Sequence, residues 1–310
     1  MLACLLVCSG GARAAAPLID HHQHLLSPAM SAGSAQKPIA ATDLIAMLDA
    51  AGIRRAVVLS NAFRYGSPGN PPLPDEYARV VAENDWTARE AAKFPKRLVA
   101  ICSFNPLKDY ALDELARCAR DQRFGRGIKL QFGSSGVDLD DPVDVAMLRR
   151  VFRTANARGM GLIVHLRTSG AQQRIYGAAQ AFVFLDELLA AAPDVTIQIA
   201  HLAGGGGGDV SAAMDDALAV FAAAFARQDP RVKRVYFDLA GVAGVGAWQT
   251  RAPLIVQRIR QIGMAHILYG SDGGDPTDPP PKTQLAAYRQ LPLTVAEFSV
   301  IERNVAPYLK

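Results

Sequence analysis

Cysteine is scarce in this chain, four in 310 residues, and tryptophan scarcer still, at two. Cys4 and Cys8 fall within the first sixteen residues, which leaves only Cys102 and Cys118 for the body of the protein. So small a number excludes a disulfide-stapled fold. The default reading of the pair is two thiols, with one bridge permitted in an exported protein. Excess charge is also lacking: the formal net charge is +4, with no block of Lys or Arg and no basic stripe interleaved with aromatics. The usual footprint of a nucleic-acid binder is therefore missing. The apolar run at residues 2–7 is too short to cross a bilayer, so no transmembrane segment is expected. No internal repeat and no long linker divides the chain.

What is present begins with the N-terminus. The apolar run leads into Gly10, Gly11, Ala12, Arg13 and three alanines, and a short apolar core ending in small residues reads as a signal peptide cleaved after Ala16. Residues 1–16 would then be removed and residues 17–310 would form the mature periplasmic domain. A segment that is kept would leave the protein cytoplasmic. A basic n-region is lacking, and Val7 is a poor residue ahead of a lipidated Cys8, so no lipid anchor is expected.

Half of the residues are hydrophobic and a fifth are charged, enough to bury a sizeable core. Short β-branched runs alternate with longer stretches rich in Ala and Leu. Candidate strands lie at 18–22, 55–60, 98–103, 127–132, 161–166, 196–201, 235–240 and 267–271. Helices are expected after a Thr42 N-cap up to Gly52, then at 75–94, 112–120, 143–157, 178–191, 210–227, 253–262 and 295–304. Eight β/α units in this length give a single-domain (β/α)8 TIM barrel. An open doubly wound sheet would want a glycine-rich phosphate turn after its first strand, and histidines stand there instead. Two loops are unusual, the proline-rich 61–74 and the five glycines at 204–208. The glycine run lacks the Lys-Ser/Thr of a phosphate loop, so a flexible rim or a close backbone approach is expected.

The six histidines are not scattered. His21, His22 and His24 cluster at the end of the first strand, His165 ends the fifth and His201 the sixth, while Asp272 ends the eighth. Strand alternation puts His22 and His24 on one face and turns His21 outward. His266, before the eighth strand, belongs to the opposite end of the barrel. Neutral imidazoles with one carboxylate make a good site for zinc or a similar divalent cation. Such an ion lowers the pKa of bound water, and a remaining His or Asp can move protons.

The ordered set Asp20-His21-His22-Gln23-His24, His165, Ala200-His201-Leu202-Ala203-Gly204 and Gly270-Ser271-Asp272 resembles the amidohydrolase superfamily. Its nearest likeness is the amidohydrolase-2 branch, with its decarboxylases of the amino-carboxymuconate-semialdehyde type and its lactonases. The resemblance implies His22, His24, His165 and Asp272 as metal ligands, holding one Zn2+ or Mn2+ ion. It implies His201, with Asp272, as the catalytic proton carrier. Lys129 on the fourth strand corresponds to a lysine that bridges two metals in the binuclear branch; an ion pair or a substrate contact is the preferred reading here. Asp20 is read as either orienting a ligand imidazole or bracing the barrel, and Asp238 as a carboxylate that could help at the site, with a buried structural role preferred. Arg64 and Arg167 are candidates for gripping a substrate carboxylate. Asp275 reads first as part of a turn.

These observations lead to a metal-dependent hydrolase acting on an ester, lactone or amide of a small organic acid. Non-oxidative decarboxylation at the same constellation is the alternative. A periplasmic metal- or ligand-binding protein without turnover is a third reading, against which the full set of candidate ligands and base speaks. The expected partner is a small molecule carrying a carboxylate, with a homodimer as the general expectation for soluble enzymes.

Overall fold

The computed structural model describes residues 16–32, 35–168, 174–207, 211–242, 248–274 and 278–309. Residues 1–15 of the expected signal segment, Gly208 and Asp275 lie outside these residues. Eight parallel strands pair in chain order: β1 Ile19–Gln23, β2 Arg55–Leu59, β3 Leu98–Ser103, β4 Phe124–Gln131, β5 Gly161–His165, β6 Ile197–Ile199, β7 Val235–Asp238 and β8 Ile267–Leu268. Hydrogen bonds from His21 N to Tyr269 O, Asp272 N to His22 O and His24 N to Gly273 O, each 2.9 Å, bring the last strand back onto the first. The result is the (β/α)8 barrel that the alternation predicts.

Both faces of the strands are apolar, as a parallel sheet covered by helices requires. Val57, Leu59, Ile101, Ile163 and Leu268 pack together inside the barrel. Ala56, Val58, Cys102, Ile128, Leu130, Leu162 and Val164 pack outward, in the core beneath the helices. The inner cluster also contains Ala306 and Tyr308. They belong to the C-terminal turn Pro307–Leu309 and the residues just before it, which fill the barrel from the end where the strands begin.

One irregularity decides how the first strand presents its histidines. Ile19 pairs with Arg55, Asp20 with Ala56, but Gln23 with Val58, so three steps on β1 match two on β2. This bulge breaks strict alternation. The outward facing expected of His21 is thereby corrected. Its ring is fully buried, with Nδ1 on Tyr269 O at 3.0 Å and Nε2 accepting from Ala306 N at 3.2 Å, deeper in the barrel than His22.

Smaller corrections concern helix ends and sulfur. The helix expected after a Thr42 cap starts at Ala41, because the Asp43 carboxylate takes the Ala40 N–H at 2.9 Å; it closes at Gly52, φ 73°, as expected. The stretch expected as one helix over 178–191 is α-helical for Ala178–Val183, widens to a π-helix over Phe184–Leu188 and tightens to a 3-10 turn over Leu189–Ala191. The widening lets Phe184, Leu185 and Leu188 all face the core, where Phe184 meets Phe132, Phe152 and Phe221. A helix at Pro281–Tyr288 carries no expectation from sequence. Cys102 on β3 and Cys118 on the helix above it, read as thiols, are joined in a disulfide across 6.2 Å between Cα atoms.

Gly274 shows how tightly the mouth is closed. It sits at φ 92°, and a Cβ there would lie 1.7 Å from the His24 carbonyl oxygen. Gly274→Ala combines a backbone collision with a left-handed backbone conformation, so a loss of about 2 kcal/mol or more is expected. Urea denaturation measures it, and an unchanged midpoint would contradict the close approach of β8 to β1.

Candidate metal centre and substrate cavity

The site assembles where the strands end. In three of its imidazoles Nδ1 is held by an acceptor: His22 donates to Asp238 Oδ2 at 3.0 Å, His24 to Leu59 O at 2.8 Å and His201 to Ala240 O at 2.7 Å. A carbonyl or carboxylate oxygen can only accept, so each ring in its neutral form keeps its lone pair on Nε2. His22 Nε2 lies 3.4 Å and His24 Nε2 3.7 Å from Asp272 Oδ1. Ligand atoms of these three residues all fall within 4.8 Å of one another. Two imidazole nitrogens that present lone pairs beside a carboxylate are a donor set that fits a divalent cation of the zinc or manganese kind.

His165 enters the same cavity from the end of β5, its ring edge-on to His201 at 4.8 Å between centroids. His201 reaches it on an unusual backbone. His201, Leu202 and Ala203 have φ of 55°, 48° and 62°, and Asp272 has 60°. Left-handed conformations in residues other than glycine cost on the order of 1 kcal/mol each and persist only where the surroundings enforce them. Here Asp238 Oδ1 takes the His201 N–H at 2.9 Å and the Ala240 N–H at 3.1 Å, and Tyr176 Oη donates to Ala203 O at 2.6 Å. Gly206 explains part of the glycine run: a Cβ there would stand 3.3 Å from both Asp272 Oδ2 and the His201 ring.

Burial governs the charges. It pushes His24 down to about 3 and His22 in the same direction, so both are neutral and able to coordinate near pH 7. Loss of surrounding water, with the charges of His201 and Lys129, also holds His165 well below its ordinary value. Burial alone would raise Asp272, but the facing imidazoles and Lys129 outweigh it and keep the carboxylate ionised. Lys129 is fully buried with Nζ 3.3 Å from His22 Nε2, and burial brings it down to about 8 despite Asp238 and Asp272.

The remaining sequence candidates separate. A cavity of about 520 Å3 is lined by the site residues together with Arg64, Phe63, Asn70, Gln131 and Ser134. Arg64 is thus in the wall, whereas Arg167 lies outside it, with Nη1 3.5 Å from Ser211 Oγ. Asp20 braces the mouth, accepting from His22 N at 3.1 Å, Gln23 Nε2 at 2.6 Å and Ser271 N at 3.1 Å. Asp238 proves to be more than a structural carboxylate, since it holds His22 and the His201 backbone together. His266 bonds Val235 O at 2.8 Å, away from the site. Gln131 and Ser134 carry no expectation from sequence, although Gln131 follows Lys129 by two on one strand, a signal that alternation offers. A larger cavity of about 580 Å3, bordered by Ala50, Gly52, Lys282 and Leu285, has no imidazole or carboxylate among the described residues of its wall.

With this geometry in hand, residues 19–299 match the Amidohydro_2 family model, described as amidohydrolase. The chain belongs to the amidohydrolase family. As a member of its amidohydrolase-2 branch it is an enzyme. No curated protein matches it in sequence. Among solved structures, this amidohydrolase is similar in fold to 2,6-dihydroxybenzoate decarboxylase from Rhizobium (TM-score 0.65, 17% identity, 93% of this chain and 96% of that one). Dihydroxybenzoic acid decarboxylase from Polaromonas sp. JS666, with bound manganese and the inhibitor 2-nitroresorcinol, gives 0.62 at 16% identity, covering 93% and 95%. A probable 2-pyrone-4,6-dicarboxylic acid hydrolase from Acinetobacter baumannii, with citric acid bound, gives 0.58 at 15%, covering 92% and 96%.

Lys129 supplies the pH test of the amidohydrolase site. Its ammonium would repel a cation at His22 Nε2, and binding a cation there would expel its proton. Manganese affinity is therefore expected to climb as pH rises toward about 8, by up to about tenfold per unit, and to level off above it. Calorimetric titration between pH 6 and 9 reads the slope, which should flatten in Lys129→Met. A slope unchanged in that variant would contradict the assignment.

Proposed function

We propose that this enzyme removes carbon dioxide, without oxidation, from a small aromatic or enolic carboxylate at a divalent metal centre formed by His22, His24, His165 and Asp272. The observation that carries this reading is the joint placement, in one 520 Å3 cavity, of those donors with the cationic side chain of Arg64. A polar cavity of that size suits a single small anion. Decarboxylases with the same fold, one of them holding manganese, support the choice of reaction and make manganese as reasonable an ion as zinc.

A bound cation supplies a Lewis acid that holds and polarises the substrate oxygens. The other steps fall to the chain's own residues. Arg64 grips the carboxylate or an oxygen beside it, and Phe63 borders the ring. His201, with Nδ1 on Ala240 O and its ring 3.9 Å from the Asp272 carboxylate, carries a proton on Nε2 when charged. It delivers that proton to the carbon that loses carbon dioxide, the electron pair of the breaking C–C bond passing to that carbon, and regains a proton from water. Asp272 stabilises the imidazolium while it waits.

Hydrolysis of a lactone or ester is the second reading, favoured by the fold likeness to the 2-pyrone-4,6-dicarboxylic acid hydrolase. His201 would then take a proton from attacking water instead of giving one to carbon.

The test is to load the protein with Mn2+, supply hydroxybenzoates, muconate-like acids and pyrone or simple lactones, and measure carbon dioxide and acid production separately. Carbon dioxide release from a carboxylate is expected. His201→Asn should lower kcat by roughly 100-fold or more, while Arg64→Met should chiefly raise KM. Acid from a lactone without carbon dioxide would establish the second reading, and turnover of neither class would overturn both.

A further inference from the structure

The C-terminal turn that fills the barrel floor is joined to the metal centre by an unbroken line of buried side chains. Tyr308 Oη stands 2.6 Å from Gln198 Oε1, Gln198 Nε2 stands 2.6 Å from Asp238 Oδ2, and the same oxygen faces His22 Nδ1 at 3.0 Å. Gln198, Asp238 and His22 are fully buried, and Tyr308 is 7% exposed. Gly161 at the start of β5 makes room for the plug, since a Cβ there would lie 3.0 Å from that of Tyr308.

Each bond in this line has only one direction. The ionised Asp238 can only accept, so Gln198 must turn its NH2 toward it and its carbonyl toward Tyr308. The phenol must then be the donor. Burial and the charge of Asp238 both push the Tyr308 phenol well above its ordinary range, which keeps that proton in place. Without the phenol the Gln198 carbonyl loses its donor, leaving the NH2 to hold the amide on Asp238 Oδ2 and, at 3.4 Å, on His21 O. The bond to Asp238 would loosen, and the orientation and donor strength of His22 would follow.

We propose that Tyr308 is a positioning residue of the metal centre, acting through Gln198 and Asp238 to fix the tautomer and raise the donor strength of His22. The C-terminal turn is then a working part of the site, applied from the opposite end of the barrel. This inference rests on the reading of His22 as a metal ligand.

The experiment uses the full chain and Mn2+ alone, with affinity from calorimetry and the ion's surroundings from its electron paramagnetic resonance spectrum. Direct outer partners of ligands typically alter affinity by 10- to 100-fold, and Tyr308 stands two bonds further out, so Tyr308→Phe should weaken binding by roughly three- to tenfold and change the spectrum. Gln198→Leu should do likewise, and the double variant should bind no worse than Gln198→Leu, because both break one line. Leu309→Ala, in the same plug but outside the line, should lower the unfolding temperature and leave affinity alone. Wild-type affinity in Tyr308→Phe, multiplying effects in the double variant, or an equal loss in Leu309→Ala would each overturn the proposal. A wild-type chain that binds no Mn2+ overturns it together with the ligand reading. Because no substrate is involved, failure of the proposed decarboxylation would show separately, as bound metal without turnover.

Discussion

One buried carboxylate organises the mouth of this barrel. Asp238 accepts from His22 Nδ1, Gln198 Nε2, His201 N and Ala240 N, and so ties β1, β6 and β7 to one point. Taking an ionised carboxylate out of water costs several kcal/mol even after relaxation, and only a complete set of donors makes it tolerable. The set is complete here, and the carboxylate stays charged: burial raises it, but its interactions with His22 and His201 outweigh that effect. The consequence reaches the chemistry. A fixed Asp238 fixes which nitrogen of His22 faces the cavity, and it holds the turn on which His201 stands.

The same logic accounts for the strained backbone. His201 to Ala203 and Asp272 occupy left-handed conformations that side-chain-bearing residues avoid, and they do so on the two segments that carry the proposed proton donor and the proposed carboxylate ligand. The glycines around them, Gly206 and Gly274, are where another backbone or side chain comes too close for a Cβ. Strain is tolerated where Asp238, Asp20 and the β1–β8 closure over-determine the geometry.

Much of this was legible in the sequence because it follows from two simple periods. The eight strands stand where β-branched runs meet helical stretches, and their C-terminal ends carry His22, His24, His165, His201 and Asp272 in one cavity. What the sequence could not supply were the departures from period. The bulge in β1 turns His21 inward, and no local signal marks it, because the two-against-three register is set by pairing with β2. The roles of Asp238 and Gln198 depend on partners as far as 216 residues away. Arg167 and Arg64 look alike as arginines near strand ends, yet only the wall of the folded cavity separates them. The C-terminal plug was illegible for the same reason, as a short segment whose meaning lies wholly in where it docks.

The most direct test of this account is where a metal ion sits. A crystal grown with Mn2+ and measured at the manganese absorption edge should show one anomalous peak, against His22 Nε2, His24 Nε2 and the Asp272 carboxylate, with His165 turned toward it. A peak elsewhere, or none at saturating Mn2+, would contradict the claim that these strand ends form a single metal centre.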